Sequence, residues 1–166
     1  MNRILFPFTR EKIVEDSIVS LLKKLPHNQV TIMMREIDPD DEDNYRDILA
    51  EELSQCPIIS PLIIIEHDVE VRIGAIDELL QCHEEYCGYV TRFRFPADAY
   101  GDVTPFGCCK ISGVAKNVAL EILCDDNFSG RWYDLDSRLG REMRRRGYPW
   151  HRHEMTLIHH HDYHTE

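Results

Sequence analysis

The chain has 166 residues, a length that fits one domain with a sizeable core. Hydrophobic residues make up 43% of it and charged residues 30%, which excludes an intrinsically disordered chain. The formal net charge of −11 argues against nucleic acid as a partner, because proteins that bind duplexes neutralise phosphates with Lys and Arg. No targeting signal is visible, and no apolar run approaches the ~20 residues of a membrane span.

The first elements in the chain alternate between strand and helix. A short apolar run at residues 3–8 predicts a buried strand, and the spacing of apolar residues predicts a helix over 11–25. The β-rich segment 29–37 predicts a second strand. After an acidic loop, Asn44 is expected to cap a helix that continues to Gln55.

The rest of the chain continues this alternation. The unbroken run from Leu62 to Ile65 is typical of a central parallel strand that is covered on both faces. The later elements predicted are a helix over 74–82, strands over 86–95 and 108–112, helices over 114–124 and 133–146, and a last strand over 155–158. The pattern predicts a single α/β domain with a mostly parallel sheet.

Acidic side chains follow the predicted central strand at Glu66 and Asp68, with His67 between them. In open α/β sheets, ligands bind outside the carboxyl ends of the strands. Hard divalent ions such as Mg²⁺ and Mn²⁺ prefer carboxylate oxygens and often bridge them to phosphates. The tripeptide therefore predicts a Mn²⁺ or Mg²⁺ site, with an ordinary acidic loop as the alternative interpretation.

The order of motifs over residues 59–161 resembles the GT-A glycosyltransferases, in a compact, stand-alone, family 2-like form. The motifs are the apolar strand with Glu66-His67-Asp68-Val69, a short helix with Gly74 and Leu79-Leu80, a glycine-bearing loop, and Trp132-Tyr133-Asp134-Leu135-Asp136. The resemblance implies a GT-A-like, Rossmann-like three-layer sandwich. It also implies transfer of a sugar from a nucleotide diphosphate sugar, with a UDP-sugar favoured, to a hydroxyl-bearing acceptor.

The resemblance assigns roles to individual residues. Glu66 and Asp68 stand at the family's metal-binding DxD motif, with Glu in place of the first Asp, so both are implied metal ligands. Glu66 and His67 are also implied to contact the donor. The family's later acidic motif falls on Asp134, the implied general base, with Asp136 as its competitor. A helix cap is the structural alternative for Asp134.

The chain departs from the family pattern in two respects. Tyr133 replaces the usual Glu before Asp134, so the assignment of the base rests on that aspartate. The chain is also short, so the acceptor-binding half is either minimal or supplied by a partner subunit in a homo-oligomer. Trp132 is a further candidate contact for the donor, by stacking on a sugar face, with packing in the core as the alternative.

The C-terminal segment is rich in histidine, and we place the catalytic domain at 1–158 and a His-rich tail at 159–166. Many GT-A enzymes complete the metal site with a late histidine, which makes His159 and His161 the implied further ligands. If the last strand forms, these two histidines share one face. A cloning remnant, a disordered tail and a dedicated zinc or nickel tail are the alternatives.

The six cysteines show no CxxC spacing, and the adjacent pair Cys108 and Cys109 is poorly suited to one tetrahedral zinc ion. We therefore expect mostly buried thiols in a reducing compartment. This expectation agrees with a cytoplasmic location.

Two other functions are open at this point. A nucleotidyltransferase on a similar sheet would carry a glycine-rich phosphate loop after the first strand, but residues 6–11 contain no glycine. A non-enzymatic metal-binding or interaction protein would use the His-rich tail and would need neither Asp68 nor Asp134.

Overall fold

The structure is a computed structural model that describes residues 2–9, 25, 30–72, 74–93, 107–131 and 134–159. The helix predicted over 11–25 lies outside these residues, except for Leu25, which is buried. None of the helices within the described ranges is long and apolar enough to cross a membrane.

Seven strands of the described residues form one mixed sheet. They are β1 (Asn2–Phe8), β2 (Val30–Glu36), β3 (Leu62–Ile65), β4 (Val69–Glu70), β5 (Tyr86–Phe93), β6 (Cys108–Ile111) and β7 (His151–His159). Their order in the sheet is β2-β1-β3-β6-β5-β7-β4. The pairings of β1 with β2 and β3, and of β5 with β7, are parallel, whereas β6 and β4 run antiparallel to their neighbours. The predicted α/β class with a mostly parallel sheet is confirmed.

Helices cover both faces of this sheet, as a three-layer sandwich requires. They are α1 (Asn44–Gln55), α2 (Ala75–Gln81), α3 (Gly113–Leu123) and α4 (Leu135–Arg145). Leu62 and Ile64 pack in a cluster with α1, α3 and α4, while Ile63 and Ile65 pack in a second cluster with α2. All four side chains of β3 are at most 1% exposed. Burying each one contributes roughly 1.5–3 kcal/mol, so the apolar run makes β3 the centre of both layers.

A buried ionic contact connects α1 to the first two strands. Glu52 is 2% exposed, and its carboxylate accepts hydrogen bonds from Arg3 and Arg35, at 2.9 Å each. The guanidinium groups are partly exposed, so only the carboxylate is fully removed from water. A buried carboxylate is tolerated when it is paired in this way, and the contact fixes α1 across β1 and β2.

Two strand predictions need correction. The last strand begins at His151, earlier than predicted. Its first four residues are all polar, and the backbone of residues 151–153 pairs with β5. Such a segment lacks the apolar signal of a core strand. The short strand β4 was not predicted, since two residues carry no period that could reveal it.

The predicted helix end at Gly147 is confirmed, because Gly147 has a φ of 89° and Tyr148 donates back to the Met143 carbonyl at 2.9 Å.

The cysteines are mostly buried, as expected from the sequence. Cys56, Cys87, Cys108 and Cys109 are buried, Cys82 is half-buried and Cys124 is exposed. Burial is the main cause that raises the pKa of Cys108 and Cys109 above the usual range of a thiol. These two residues lie in β6, opposite Ile65 and Ile64 of β3, and contribute to the core.

Candidate functional site

The acidic motif lies at the carboxyl edge of the sheet. Because β1, β2, β3, β5 and β7 point in one direction, their carboxyl ends share this edge. Glu66 follows β3 directly, and its N–H donates to the Gly107 carbonyl at 3.1 Å. The Val69 N–H donates to the Glu66 carbonyl at 3.2 Å, which closes a turn over Glu66, His67 and Asp68. The edge is where an open α/β sheet binds its ligands.

The turn is held between two strands that are remote in sequence. Val69 of β4 pairs with His159 at the end of β7, and Glu70 pairs with Ile158. The structure thus brings the backbone of His159 next to the residue that follows Asp68. The sequence-based prediction that His159 contributes to this region is consistent with that register. His161 and Trp132, two other predicted site residues, lie outside the described residues.

The side chains of the motif differ in exposure. Asp68 is 1% exposed and His67 is 6% exposed, while Glu66 is half-buried. A carboxylate that is withdrawn from water stays charged only where cations or hydrogen bonds compensate for its lost hydration. That Asp68 binds a divalent cation stays a prediction.

Asp136 reaches the same edge from the first turn of α4. Burial, followed by the negative charge of Glu66, raises the pKa of Asp136 to about 7. A hydrogen bond of 2.6 Å from the Ser137 N–H to Asp136 Oδ1 acts in the opposite direction, and the charge of Asp134 raises the pKa further. A carboxyl group that titrates near neutrality is suited to accept a proton during a reaction.

Tyr45, in the first turn of α1, lies among these carboxylates. Burial is the main cause that raises its pKa well above that of an ordinary tyrosine. The charges of Glu66, Asp136 and Asp68 raise it as well. Tyr45 is 3% exposed and stays a neutral phenol. Sequence reasoning missed Tyr45, because an aromatic residue at the start of an amphipathic helix indicates core packing.

Asp134 has a different environment from Asp136. Its Oδ2 accepts a hydrogen bond from Arg138 Nε at 2.8 Å, in an ion pair one helical turn apart. Asp134 stands at the N-cap position of α4, but its side chain makes no capping hydrogen bond. Its Oδ1 is buried and has no hydrogen-bond partner among the described residues. Asp134 is therefore in an ion pair with Arg138, whereas Asp136 experiences the negative charge of Glu66.

Comparison with known proteins finds a likeness in fold but none in sequence. No protein-family model matches the chain, and no curated protein matches it in sequence. A solved structure that resembles it is a glycosyltransferase involved in the glycosylation of the major capsid of PBCV-1. The TM-score is 0.54 and the sequence identity is 11%, over 96% of this chain and 83% of that chain. At this identity the likeness shows a shared fold, which agrees with the predicted Rossmann-like architecture.

Proposed function

We propose that the chain is a metal-dependent glycosyltransferase that transfers a sugar from a nucleotide diphosphate sugar to a hydroxyl-bearing acceptor. One observation carries the proposal: Glu66 and the buried Asp68, which is 1% exposed, follow the central strand β3 at the carboxyl edge of the sheet. A fold shared with a glycosyltransferase supports it.

The carboxylates at this edge fit a hard divalent cation. Asp68 and Glu66 are the proposed ligands of Mn²⁺ or Mg²⁺, because both ions prefer carboxylate oxygens and keep positions open for phosphates. His159 is the proposed additional ligand, given that its backbone pairs with Val69. When bound, the cation would stabilise the negative charge of the leaving diphosphate.

The contacts favour Asp136 over Asp134 as the general base. Attack by an acceptor hydroxyl requires a group that takes its proton, and the best pKa for such a group lies near the working pH. Asp136 has a pKa of about 7, whereas Asp134 is held in an ion pair with Arg138. We therefore propose that Asp136 accepts the proton and that Asp134 orients the start of α4 through Arg138.

The donor and acceptor follow from the same chemistry. A UDP-sugar is the favoured donor, with His67 and Trp132 as further proposed contacts. The proposed acceptor is a hydroxyl group that gives its proton to Asp136. The acidic composition disfavours polymeric nucleic acid as the acceptor.

A thermal-shift screen tests the proposal. The full chain is heated with nucleotide diphosphate sugars, each with and without Mn²⁺, and with Mn²⁺ alone as the control. A ligand that binds the native state stabilises it and so raises the melting temperature. At a ligand concentration of one hundred times Kd, the free energy of unfolding increases by about 2.7 kcal/mol. We expect an increase that requires both the donor and Mn²⁺. If no donor with Mn²⁺ raises the melting temperature above that with Mn²⁺ alone, the proposal is contradicted.

A further inference from the structure

A second group of potential metal ligands lies away from the acidic edge. The sulfur atoms of Cys82 and Cys87 and one ring nitrogen of His153 all lie within 4.8 Å of one another. Cys82 directly follows α2, Cys87 is the second residue of β5, and His153 is the third residue of β7. Three elements therefore converge on this group, which we call the thiol-imidazole cluster.

His153 is oriented in the way that metal-binding histidines usually are. Its side chain is 7% exposed, and Nδ1 lies 2.9 Å from Glu78 Oε1. Its other nitrogen, Nε2, is buried and lacks a hydrogen-bond partner in the part of the chain that the structure describes. A ligating histidine typically bonds a carboxylate through one nitrogen and the metal through the other. The contact with Glu78 leaves Nε2 as the nitrogen available to a ligand.

Lys110 provides an independent sign that negative charge belongs in this cluster. It lies opposite Cys87 in the pairing of β5 with β6, is 3% exposed and donates to the Cys82 carbonyl at 2.6 Å. Among the described residues, Lys110 forms no ion pair with a carboxylate. A buried ammonium group is costly unless an anion balances it. A cysteine thiolate held by a metal would supply that anion.

We infer that Cys82, Cys87 and His153 bind a zinc ion. Zn²⁺ takes Cys sulfur at about 2.3 Å and His nitrogen at about 2.0–2.1 Å in a tetrahedral arrangement. Ligand atoms in such a site are about 3.5–3.8 Å apart, so small side-chain rotations close the observed cluster onto an ion. Thiols bind zinc as thiolates, so binding of the ion would release the two thiol protons to the solvent.

His151 is the neighbouring histidine that could supply a fourth ligand after a side-chain rotation, since its ring is outside the group of atoms within 4.8 Å of one another. Its ring meets that of His153 edge-on, with the ring centroids 5.2 Å apart, and its side chain is exposed. His151 also pairs with Cys87 in the register of β5 and β7. Two thiolates neutralise the zinc ion, and their sulfur atoms remain hydrogen-bond acceptors beside Lys110.

The zinc site is distinct from the acidic site of the proposed function. It lies near the start of β7, whereas His159 ends that strand about 20 Å away at 3.3 Å per residue. Sulfur and imidazole select zinc, whereas carboxylates suit Mn²⁺ or Mg²⁺. A zinc ion here would connect the end of α2 to β5 and β7, and therefore has a structural role.

Cobalt substitution tests the inference on the full chain. The reduced, metal-free protein is titrated with Co²⁺, which gives a sulfur-to-cobalt charge-transfer absorption only where thiolates bind the ion. We expect this absorption to saturate at one equivalent and to disappear when Zn²⁺ is added. Histidines of the C-terminal segment can bind cobalt too, but they produce no such absorption. Its absence in the parent chain would overturn the inference.

Matched variants assign the absorption to the cluster. Cys82→Ser, at a half-buried position, should remove most of it, and Cys124→Ser, at an exposed cysteine elsewhere, should leave it unchanged. Glu78→Gln should weaken zinc affinity about 10–100-fold, because the carboxylate orients His153. Should Cys82→Ser fail to fold, His153→Gln with a shifted cobalt spectrum serves as the second variant. Unchanged spectra in both variants would contradict the site.

Discussion

Glu66 and Asp136 are remote in the chain, yet the charge of the first acts directly on the carboxyl group of the second. Glu66 directly follows the central strand β3, and Asp136 lies in the first turn of α4. The relationship joins the two motifs that the sequence analysis treated separately. It also distinguishes Asp136 from Asp134, whose nearest charged partner is Arg138.

Replacement of Asp136 by Asn tests which aspartate is the base. A general base contributes ~10²–10⁴-fold to rate, so Asp136→Asn should reduce transfer by about that factor while donor binding is kept. Asp134→Asn is the matched control and should cost less. The two variants are compared by kcat with the donor found in the thermal-shift screen. A larger loss with Asp134→Asn would return the role of base to Asp134.

The raised pKa of Asp136 predicts a dependence of stability on pH. The native state holds this proton up to about pH 7, whereas the unfolded chain releases it near 3.8. The native state therefore binds more protons between these values, and the contribution of this group to stability falls as pH rises from about 4 to 7. At 1.36 kcal/mol per unit of pKa, the fall amounts to at most a few kcal/mol.

Asp136→Asn removes this titration and provides the measurement. The free energy of unfolding, obtained by urea denaturation without divalent ions, should decline between pH 4 and 7 more steeply for the parent than for the variant. Parallel curves for the two proteins would show that Asp136 titrates in the usual range of a carboxyl group.

The contact of Glu52 with Arg3 and Arg35 predicts a difference between two neighbouring glutamates. Glu52→Ala should destabilise the fold by about 2–3 kcal/mol, because it removes charged hydrogen bonds from a buried site. Glu51→Ala removes an exposed partner of Arg35 and should cost much less, because water screens an exposed ion pair. Urea midpoints of the two variants measure the difference, and equal losses would mean that burial of Glu52 has no energetic weight.

The position of His159 beside the acidic turn predicts a role for its side chain. If His159 is a ligand of the divalent ion, His159→Gln should weaken Mn²⁺-dependent nucleotide binding by more than 1 kcal/mol, on the order of tenfold. His83→Gln serves as the control, because His83 is an exposed histidine elsewhere in the chain, between α2 and β5. Calorimetric titration with UDP and Mn²⁺ measures both, and an unchanged affinity in His159→Gln would exclude it from the metal shell.

The sequence was informative where a local pattern has one structural solution. The apolar run of β3 requires cover on both faces, and this predicted the central strand and the edge at which Glu66 and Asp68 lie. The start of β7 was missed because His151 and Arg152 have no apolar periodicity. They belong to the strand because their backbone pairs with β5.

The thiol-imidazole cluster and the position of Tyr45 needed the fold. Cys82 and Cys87 have the spacing C-x4-C, which occurs in zinc sites, but His153 reaches them only because β7 pairs with β5. Tyr45 is polar in one atom only, so its meeting with Glu66 depends on how α1 crosses the sheet. Contacts of this kind arise from tertiary packing, which local patterns do not encode.

Asp68 provides the most direct test of the proposed function. Calorimetric titration with UDP and Mn²⁺ is carried out on the parent, on Asp68→Asn and on Glu70→Gln, the last being an exposed carboxylate two residues away. We predict that the parent and Glu70→Gln bind the nucleotide only with Mn²⁺, and that Asp68→Asn keeps its fold but loses this dependence. Mn²⁺-dependent binding of equal affinity in Asp68→Asn would contradict the account.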